Sequence, residues 1–235
     1  IESWRRPADL QSRAPFRIRF HLEEPEDPDP DGPAAFATDQ PWNVRCLLQS
    51  KEDPSIQAPI GELLSSSRKA TQLFSADPLE YLLFSMGQIA GFFPQLKARL
   101  DKGIPESIPL DTRGAYQFLQ EIAPALQASG FGVVLPNWWR HKRNRSGIGL
   151  GLSTKDALSH DEFSIHNLFQ CQFHVTSHGT PLSLADLEGI ARLKLPLVRM
   201  RGMWVEVDQA QIQKAIALLR EKGEPALQLR GTQLL

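Results

Sequence analysis

The segment from Pro196 to Val207, with the sequence PLVRMRGMWVEV, is compatible with fewer conformations than any other part of this chain. Its pattern predicts a tight β-hairpin with Arg201-Gly202 as a two-residue turn. That register pairs Met200 with Met203, Val198 with Val205, and Arg199 with Trp204. The first two pairs form an apolar face, and the third pair is expected to face outward.

Helices are predicted on both sides of this hairpin. Ser183 precedes Asp186, and Asp208 precedes Gln211, so each capping residue is followed three positions later by a side chain that can bond back. Apolar residues then recur at helical spacing in both segments. They are Leu184, Leu187, Ile190 and Ala191 before the hairpin, and Ile212, Ala215, Ile216 and Leu219 after it.

Two half-buried strands are predicted near the start of the chain, because apolar and polar residues alternate there. The apolar positions are Phe16, Ile18, Phe20 and Leu22 in the first strand, and Trp42, Val44, Cys46 and Leu48 in the second. Six acidic residues and three prolines fill Glu23 to Asp31 between them. This loop is a solvated connection, or it acts as a nucleic-acid mimic or as a regulatory brake on a basic surface.

In the middle of the chain, apolar residues recur with the spacing of a helix. Asp77, Pro78 and Glu80 form a strong helix start, and Phe92-Phe93-Pro94 should break that helix. The face predicted to point inward contains Leu79, Leu82, Leu83, Met86, Ile89 and Ala90.

A second helix is predicted from Thr112 to Ser129, with a kink at Pro124 and an end at Gly130. Phe131 to Leu135 then reads as a fully buried strand, which would place the helices against a sheet. A subdivision of the chain is expected near Pro105–Pro109.

The most basic window is Trp138-Trp139-Arg140-His141-Lys142-Arg143-Asn144-Arg145. Its cations could neutralise phosphates, and its aromatic rings could stack on a base or a sugar. In the alternative interpretation, Trp138 and Trp139 finish a strand in the core and the charges only solvate a loop. The outward residues of the hairpin, Arg199, Arg201 and Trp204, form a second candidate surface, either for phosphate contact or as an ordinary cross-strand pair.

No catalytic constellation is recognisable in the sequence. Gly147, Gly149 and Gly151 mark a strand and lack the lysine of a phosphate loop. Asp161-Glu162 could imitate the metal-holding carboxylates of an ATPase, but no apolar strand leads into it. Cys171 and His174 would point to opposite faces of a strand, so no metal site is predicted there, although His166 and His178 lie nearby.

The composition sets broad limits on the class of protein. A chain of 235 residues with 41% apolar residues can bury a substantial core, and a net charge of -1 confines any nucleic-acid contact to a local patch. Two cysteines without a CxxC pattern favour buried reduced thiols and an intracellular protein, with neither a signal peptide nor a membrane span. Because the chain does not begin with Met, we expect it to be part of a longer protein.

Three stretches resemble one known family, in the family's order along the chain. They are PFRIRFHLEEP from Pro15, LDTRGAYQFLQEIAPALQASGFGVVLPNWW from Leu110, and SLADLEGIARLKLPLVRMRGMWVEVDQAQIQKAIALL from Ser183. The chain thereby resembles the helicase-associated accessory region that precedes the motor in bacterial Swi/Snf-family helicase-like ATPases. The resemblance implies that ATP and Mg²⁺ are used by a motor domain expected beyond Leu235, and that this motor is a partner.

Together these observations predict an α+β protein of antiparallel strands, with hairpins at 16–50 and 196–207 and helices packed on the sheet. We expect one accessory domain over residues 1–235 that is not itself an enzyme and assists a DNA translocase. The candidate nucleic-acid-binding residues are Trp138, Trp139, Arg140, Lys142, Arg143, Arg145, Arg199, Arg201 and Trp204. The alternative is a regulatory module that docks on the motor or another protein without touching DNA. A cytoplasmic, nucleoid-associated location would follow from DNA binding.

Overall fold

The computed structural model describes residues 14–26, 41–74, 77–140, 149–154, 171–177, 180–200 and 203–222. Its internal contacts divide the chain into two compact units. The first consists of Ile1–Pro28 and Asp39–Arg140, and the second of Asp29–Thr38 and His141–Leu235. Pro105–Pro109 lies within the first unit, and the assignment of the chain to one accessory domain with a subdivision there stays a prediction.

The first unit is built around a five-stranded sheet. Strands β1 (Phe16–Glu23) and β2 (Trp42–Ser50) pair antiparallel over their length, from Phe16 opposite Ser50 to Glu23 opposite Asn43, which confirms the first predicted hairpin. Three short strands complete the sheet: β3 (Gln57–Pro59) and β4 (Ser107–Leu110) pair antiparallel with β2, and β5 (Gly132–Val134) pairs parallel with β1.

Helices occupy most of the remaining first unit. They are α1 (Ile60–Ser65), α2 (Ser67–Phe74), α3 (Leu79–Ile89), α4 (Pro94–Leu100), α5 (Thr112–Gln117), α6 (Ala123–Ala128) and α7 (Asn137–Arg140), with a π-helical turn, Phe118–Ile122, joining α5 to α6. The break between α3 and α4 confirms the predicted interruption at Phe92-Phe93-Pro94. The predominantly antiparallel sheet with packed helices confirms the α+β class.

The core of this unit lies on one face of the sheet. The predicted apolar positions of β1 and β2 are all buried, whereas most of the residues between them are half-exposed. The ring of Phe16 packs edge-on against Phe74 of α2 and Tyr81 of α3, at centroid distances of 5.8 and 5.2 Å. The Ile18 amide donates to the Tyr81 hydroxyl at 3.3 Å. Helices α2 and α3 therefore cover the inward face, as predicted.

The buried face of α3 differs from the prediction. Leu79 and Leu83 are 46% and 57% exposed, whereas Tyr81 and Ser85 are buried with Leu82, Met86 and Ile89. Apolar residues surround much of this helix, so the helical period alone does not select one side. The contacts of Tyr81 with the first strand select it, and they turn Leu79 and Leu83 outward.

Two further expectations needed adjustment. The strand β5 is half-buried, because it forms the sheet edge and pairs only with β1 among the described residues; the fully buried strand predicted there is wrong. The predicted helix from Thr112 to Ser129 is present with the π-helical turn directly before Pro124. Proline removes a backbone donor and crowds the preceding turn, so a wider turn accommodates it. The chain leaves this helix at Gly130, whose φ is +85°.

The second unit contains an antiparallel three-stranded sheet and the helix, hairpin, helix arrangement. The sheet consists of β6 (Gly149–Thr154), β7 (Cys171–Ser177) and β8 (Thr180–Pro181). After it follow α8 (Leu184–Leu193), β9 (Leu197–Met200), β10 (Met203–Glu206) and α9 (Gln209–Lys222). The pairs Met200–Met203, Arg199–Trp204 and Val198–Val205 confirm the predicted register, while the turn residues Arg201 and Gly202 lie outside the described residues.

The caps of both flanking helices confirm their predicted starts. The Asp186 amide donates to Ser183 Oγ at 3.1 Å, and the Ser183 amide donates to Asp186 Oδ2 at 3.0 Å, which closes a capping box. Asp208 Oδ1 accepts from the Ala210 amide at 2.8 Å. The apolar stripes of α8 and α9 then pack against the hairpin in one buried cluster that includes Leu187, Ile190, Val198, Val205, Ile212 and Ile216.

Candidate functional site

The helix α7 carries the first residues of the predicted basic window. Trp139 is only 2% exposed, and its ring packs edge-on against Tyr116 at 6.3 Å and Trp138 at 5.6 Å. Trp138 is half-buried, and its Nε1 donates to Glu24 Oε1 at 2.5 Å. Both aromatic residues therefore have structural contacts within the first unit, and Trp139 offers no open ring face for stacking.

The cations of the window are only partly described. Arg140, the last residue of α7, is exposed to solvent. Lys142, Arg143 and Arg145 lie outside the described residues. Their role in nucleic-acid contact stays a prediction, with Arg140 as the described residue that is available for it.

An open groove of about 520 Å³ runs beside α7, between the ends of β1 and β5. Its lining includes His21, Glu23, Glu24, Leu135, Pro136 and Asn137. The two carboxylates give the groove a negative rim, which would repel phosphate. A nucleic-acid backbone that meets Arg140 would therefore have to pass outside this groove.

The charges along the outer face of the sheet interact with one another. Glu23 Oε1 lies 3.2 Å from Arg45 Nη1, on the neighbouring strand. Burial lowers the pKa of the His21 imidazole below its usual range; Glu23 raises it, and Arg19 and Arg45 lower it. His21 therefore contributes little positive charge at neutral pH, and the permanent charge of this face belongs to its arginines.

The hairpin of the second unit presents a different surface from the one predicted. Trp204 is 2% exposed, so its indole does not face solvent. Arg199, directly opposite, is half-buried, and Arg201 lies outside the described residues. Trp204 and Val205 are consecutive and both buried, which means that the hairpin is covered on both faces. Met203, expected on the apolar face, is 49% exposed. Nucleic-acid contact by these residues stays a prediction.

Sequence reasoning did not select the outer face of the first sheet as a candidate surface. Arg17 and Arg19 alternate with buried residues of β1 and point to this face. Arg17 Nε donates to Gln49 Oε1, and Arg19 Nη1 donates to Gln57 Oε1, each at 3.0 Å. The alternation of basic and apolar residues was the available signal. Strand pairing was needed to show which polar residues surround the two arginines.

Most of the residues considered in the sequence as possible metal ligands lie outside the described residues. They are Asp161, Glu162, His166 and His178. Within the described ranges, no group of three or more His, Cys, Asp or Glu residues is placed to hold a metal ion. The helices described here also include none long and apolar enough to cross a membrane.

Two comparisons with known proteins both indicate a helicase family. A family model described as SNF2 Helicase protein matches residues 103–235. The proposed ATP-dependent helicase/translocase YwqA of Bacillus subtilis (strain 168) is 24% identical over 216 residues, which cover 92% of this chain and 21% of that protein. The chain thus spans about a fifth of the length of this relative. No solved structure matches the chain.

Proposed function

The chain belongs to the family of SNF2 helicase proteins, and from that membership we propose that it is a non-catalytic accessory region of an ATP-dependent DNA translocase. The family match is the observation that carries this proposal. It also confirms the resemblance to bacterial Swi/Snf-family proteins seen in the sequence. In this proposal ATP and Mg²⁺ are used by a motor domain of the same polypeptide.

The lengths of the two proteins support a division of labour between this chain and a motor domain. Almost the whole of this chain aligns with one fifth of YwqA, so four fifths of that relative has no counterpart here. The catalytic parts of a translocase would occupy a separate portion of the parent. The accessory region would then act by binding, either to the DNA on which the motor moves or to the motor itself.

We assign DNA contact to Arg140 and the basic residues that follow it. Exposed arginine and lysine side chains bind phosphates without reading the base sequence, and each contact releases a condensed counterion. Because Trp139 is buried, the proposal does not include base stacking on its ring. The expected binding is therefore salt-sensitive and tolerant of sequence.

The test is a titration of the 235-residue chain with labelled duplex and single-stranded DNA at several salt concentrations. The test variant changes Arg140, Lys142, Arg143 and Arg145 to alanine. The matched control changes Lys97, Arg99, Lys102 and Arg113, four exposed basic residues of the first unit. We expect the first variant alone to lose affinity, and each lost phosphate contact to reduce the salt slope by about 0.9. Binding that is unchanged between ~50 and ~200 mM salt would contradict phosphate contact.

A second candidate function, protein docking without DNA contact, is favoured by one observation. Leu79 and Leu83 lie one turn apart on α3 and are both largely exposed. Changing both to serine in the full-length protein would then reduce DNA-stimulated ATP hydrolysis, and the wild-type 235-residue chain would bind no DNA. Serine at Glu80 and Gln88, two exposed polar positions of the same helix, is the control. Equal rates in the two variants would rule out docking through the leucines.

A further inference from the structure

We propose that the outer face of the first sheet is a second phosphate-binding surface, on which Arg17 and Arg19 bind the backbone of a nucleic acid. This inference rests on the proposed DNA contact and adds a surface to it. The two arginines belong to β1, far along the chain from the basic window at Arg140. A nucleic acid that contacts both surfaces would be held by permanent charges from two separate segments.

The sheet fixes the direction of these side chains. Along β1 the residues Phe16, Ile18, Phe20 and Leu22 are buried on the inward face. Because side chains alternate along a strand, Arg17 and Arg19 must lie on the opposite face, about 7 Å apart. Both arginines are half-buried, and the hydrogen bond of Arg19 lies at the exposed surface whereas that of Arg17 is partly buried.

The partners of the two arginines orient them without neutralising their charge. Each donates to the amide oxygen of a glutamine, Gln49 or Gln57. Gln49 is itself buried and donates to the Pro54 carbonyl oxygen at 2.7 Å, which holds it in place. A guanidinium has five N–H donors, so these bonds leave most of them for another acceptor.

Charge pairing differs along the same face. The described residues contain no carboxylate within ion-pair distance of Arg17 or Arg19, whereas Arg45 is paired with Glu23. The acidic residues Glu23 and Glu24 lie at the far end of β1. The arginines without an ion pair therefore lie in the first half of the strand and the carboxylates Glu23 and Glu24 at its end, so a polyanion would bind over the first half.

The pKa values of two titratable groups near this surface respond to its charges. Burial, and then the charge of Arg17, lower the pKa of Lys51. Burial is the main cause of the lowered pKa of His21; Glu23 raises that pKa, and Arg19 and Arg45 lower it. The charge of Arg17 thus disfavours the charged form of Lys51, and an anion bound beside them would relieve this repulsion.

The shape of the surface favours an extended anion. The two guanidinium groups belong to side chains on the same face of the sheet. A chain with regularly spaced charges can contact both at once, with a separate phosphate at each guanidinium group. We therefore assign the surface to a nucleic-acid backbone, where contacts to phosphate position the ligand without specifying its sequence.

The test compares variants of the 235-residue chain in titrations with labelled duplex and single-stranded DNA of two unrelated sequences. Arg17→Gln with Arg19→Gln removes the two charges, and Lys97→Gln with Arg99→Gln removes two exposed charges elsewhere in the same unit. Arg17→Lys with Arg19→Lys keeps the charge, and thermal unfolding checks that each variant is folded. We expect the glutamine pair at 17 and 19 to weaken binding about tenfold at low salt and to reduce the salt slope by about two, with substantial recovery in the lysine pair.

The outcomes separate this inference from the proposed function. DNA binding by the wild type that survives the change at Arg17 and Arg19 would overturn the inference and leave the function standing. An equal loss in the Lys97 and Arg99 control would overturn it as well, since net charge alone would explain the result. A poly-glutamate peptide that competes as effectively as DNA would replace nucleic acid with an acidic protein as the ligand. Absence of binding by the wild type at low salt would overturn both proposals.

Discussion

Gly132 lies directly beside Arg19 on neighbouring parallel strands, and a β-carbon at Gly132 would stand 3.2 Å from Arg19 Cγ. The atoms Cβ and Cα of Arg19 would be 3.3 and 3.4 Å away. A side chain at this position would therefore crowd the base of the arginine. Because Gly132 has no side chain, Arg19 has room on the outer face of the sheet.

Gly132→Val should destabilise the protein and displace Arg19. We expect a loss of about 1–3 kcal/mol, because the branched side chain meets the backbone side of Arg19 rather than a flexible end. Urea denaturation gives the loss in the free energy of unfolding. A variant as stable as the wild type would show that β5 shifts at little cost.

Gly87→Ala should stabilise the protein, in contrast to Gly132→Val. Gly87 lies within α3, and a β-carbon there would meet no atom within 4 Å. Alanine restricts the unfolded chain and fits a helix, so we expect a gain of about 0.5–1 kcal/mol in the free energy of unfolding. The same denaturation experiment measures it, and a loss of stability would indicate a contact at Gly87 that the structure does not contain.

Asp111 should contribute to stability as a helix cap. Its Oδ1 accepts from the Gly114 amide at 2.6 Å at the start of α5. Asp111→Ala removes this bond and is expected to cost about 1 kcal/mol. Asp111→Asn keeps an acceptor and serves as the control, with a loss of a few tenths of a kcal/mol expected. Equal losses in both variants would point to the charge of Asp111 rather than to the cap.

The two tryptophans of α7 should differ in their effect on stability. Trp139 is almost completely buried, so Trp139→Ala is expected to cost about 3–5 kcal/mol. Trp138 is half-buried and bonds to Glu24 on the surface, so Trp138→Ala should cost clearly less. Thermal or urea unfolding measures the loss of stability in each variant. If Trp138→Ala proved the more damaging change, the core position assigned to Trp139 would be wrong.

Cys46 should be unreactive in the folded protein. Burial raises the pKa of its thiol from 9.0 to about 12, so almost no thiolate is present at pH 8. In a Cys171→Ser background, an aromatic disulfide reagent should label Cys46 only after unfolding. Rapid labelling under native conditions would show that the strand opens locally.

The same pKa shift predicts a dependence of stability on pH. Between pH 9 and 12 the unfolded thiol ionises while the folded thiol stays protonated, so the unfolded state gains stability as the pH rises. The stability advantage of the wild type over Cys46→Ala should be constant below pH 9. Above it, the advantage should fall by at most about 1.4 kcal/mol per pH unit. Urea denaturation of both proteins at pH 7 and pH 10 checks this, and an unchanged difference would contradict it.

Local sequence patterns predicted the elements whose determinants are contained in a few neighbouring residues. The capping box of Ser183 and Asp186 is one such case, since both partners lie within four residues and the bonds form wherever the helix begins. The alternation in β1 and β2 is another, because period two by itself determines which residues share a face. The register of the hairpin at Met200 and Met203 followed from its two-residue turn.

Local patterns did not predict exposure where several faces were equally apolar. Leu83 and Tyr81 are both plausible core residues of α3, and only the packing of Tyr81 against Phe16 and Ile18 turns Leu83 outward. Trp204 was expected to face solvent because its cross-strand partner is an arginine, but the hairpin is covered on both sides. The two short strands that pair with β2, Gln57–Pro59 and Ser107–Leu110, were not predicted from their brief patterns.

The sequence by itself determined the α+β class, the two hairpins, the caps of the helices that flank the second hairpin and the family of this protein, because each depends on residues that are close together or on similarity along the chain. Tertiary structure alone decided which side of each element is buried and which charges share a surface. Arg17 and Arg19 meet Gln49 and Gln57 only after strands that are distant in sequence have paired. The free energy of those long-range contacts is set by the whole sheet, so no local window of residues contains it.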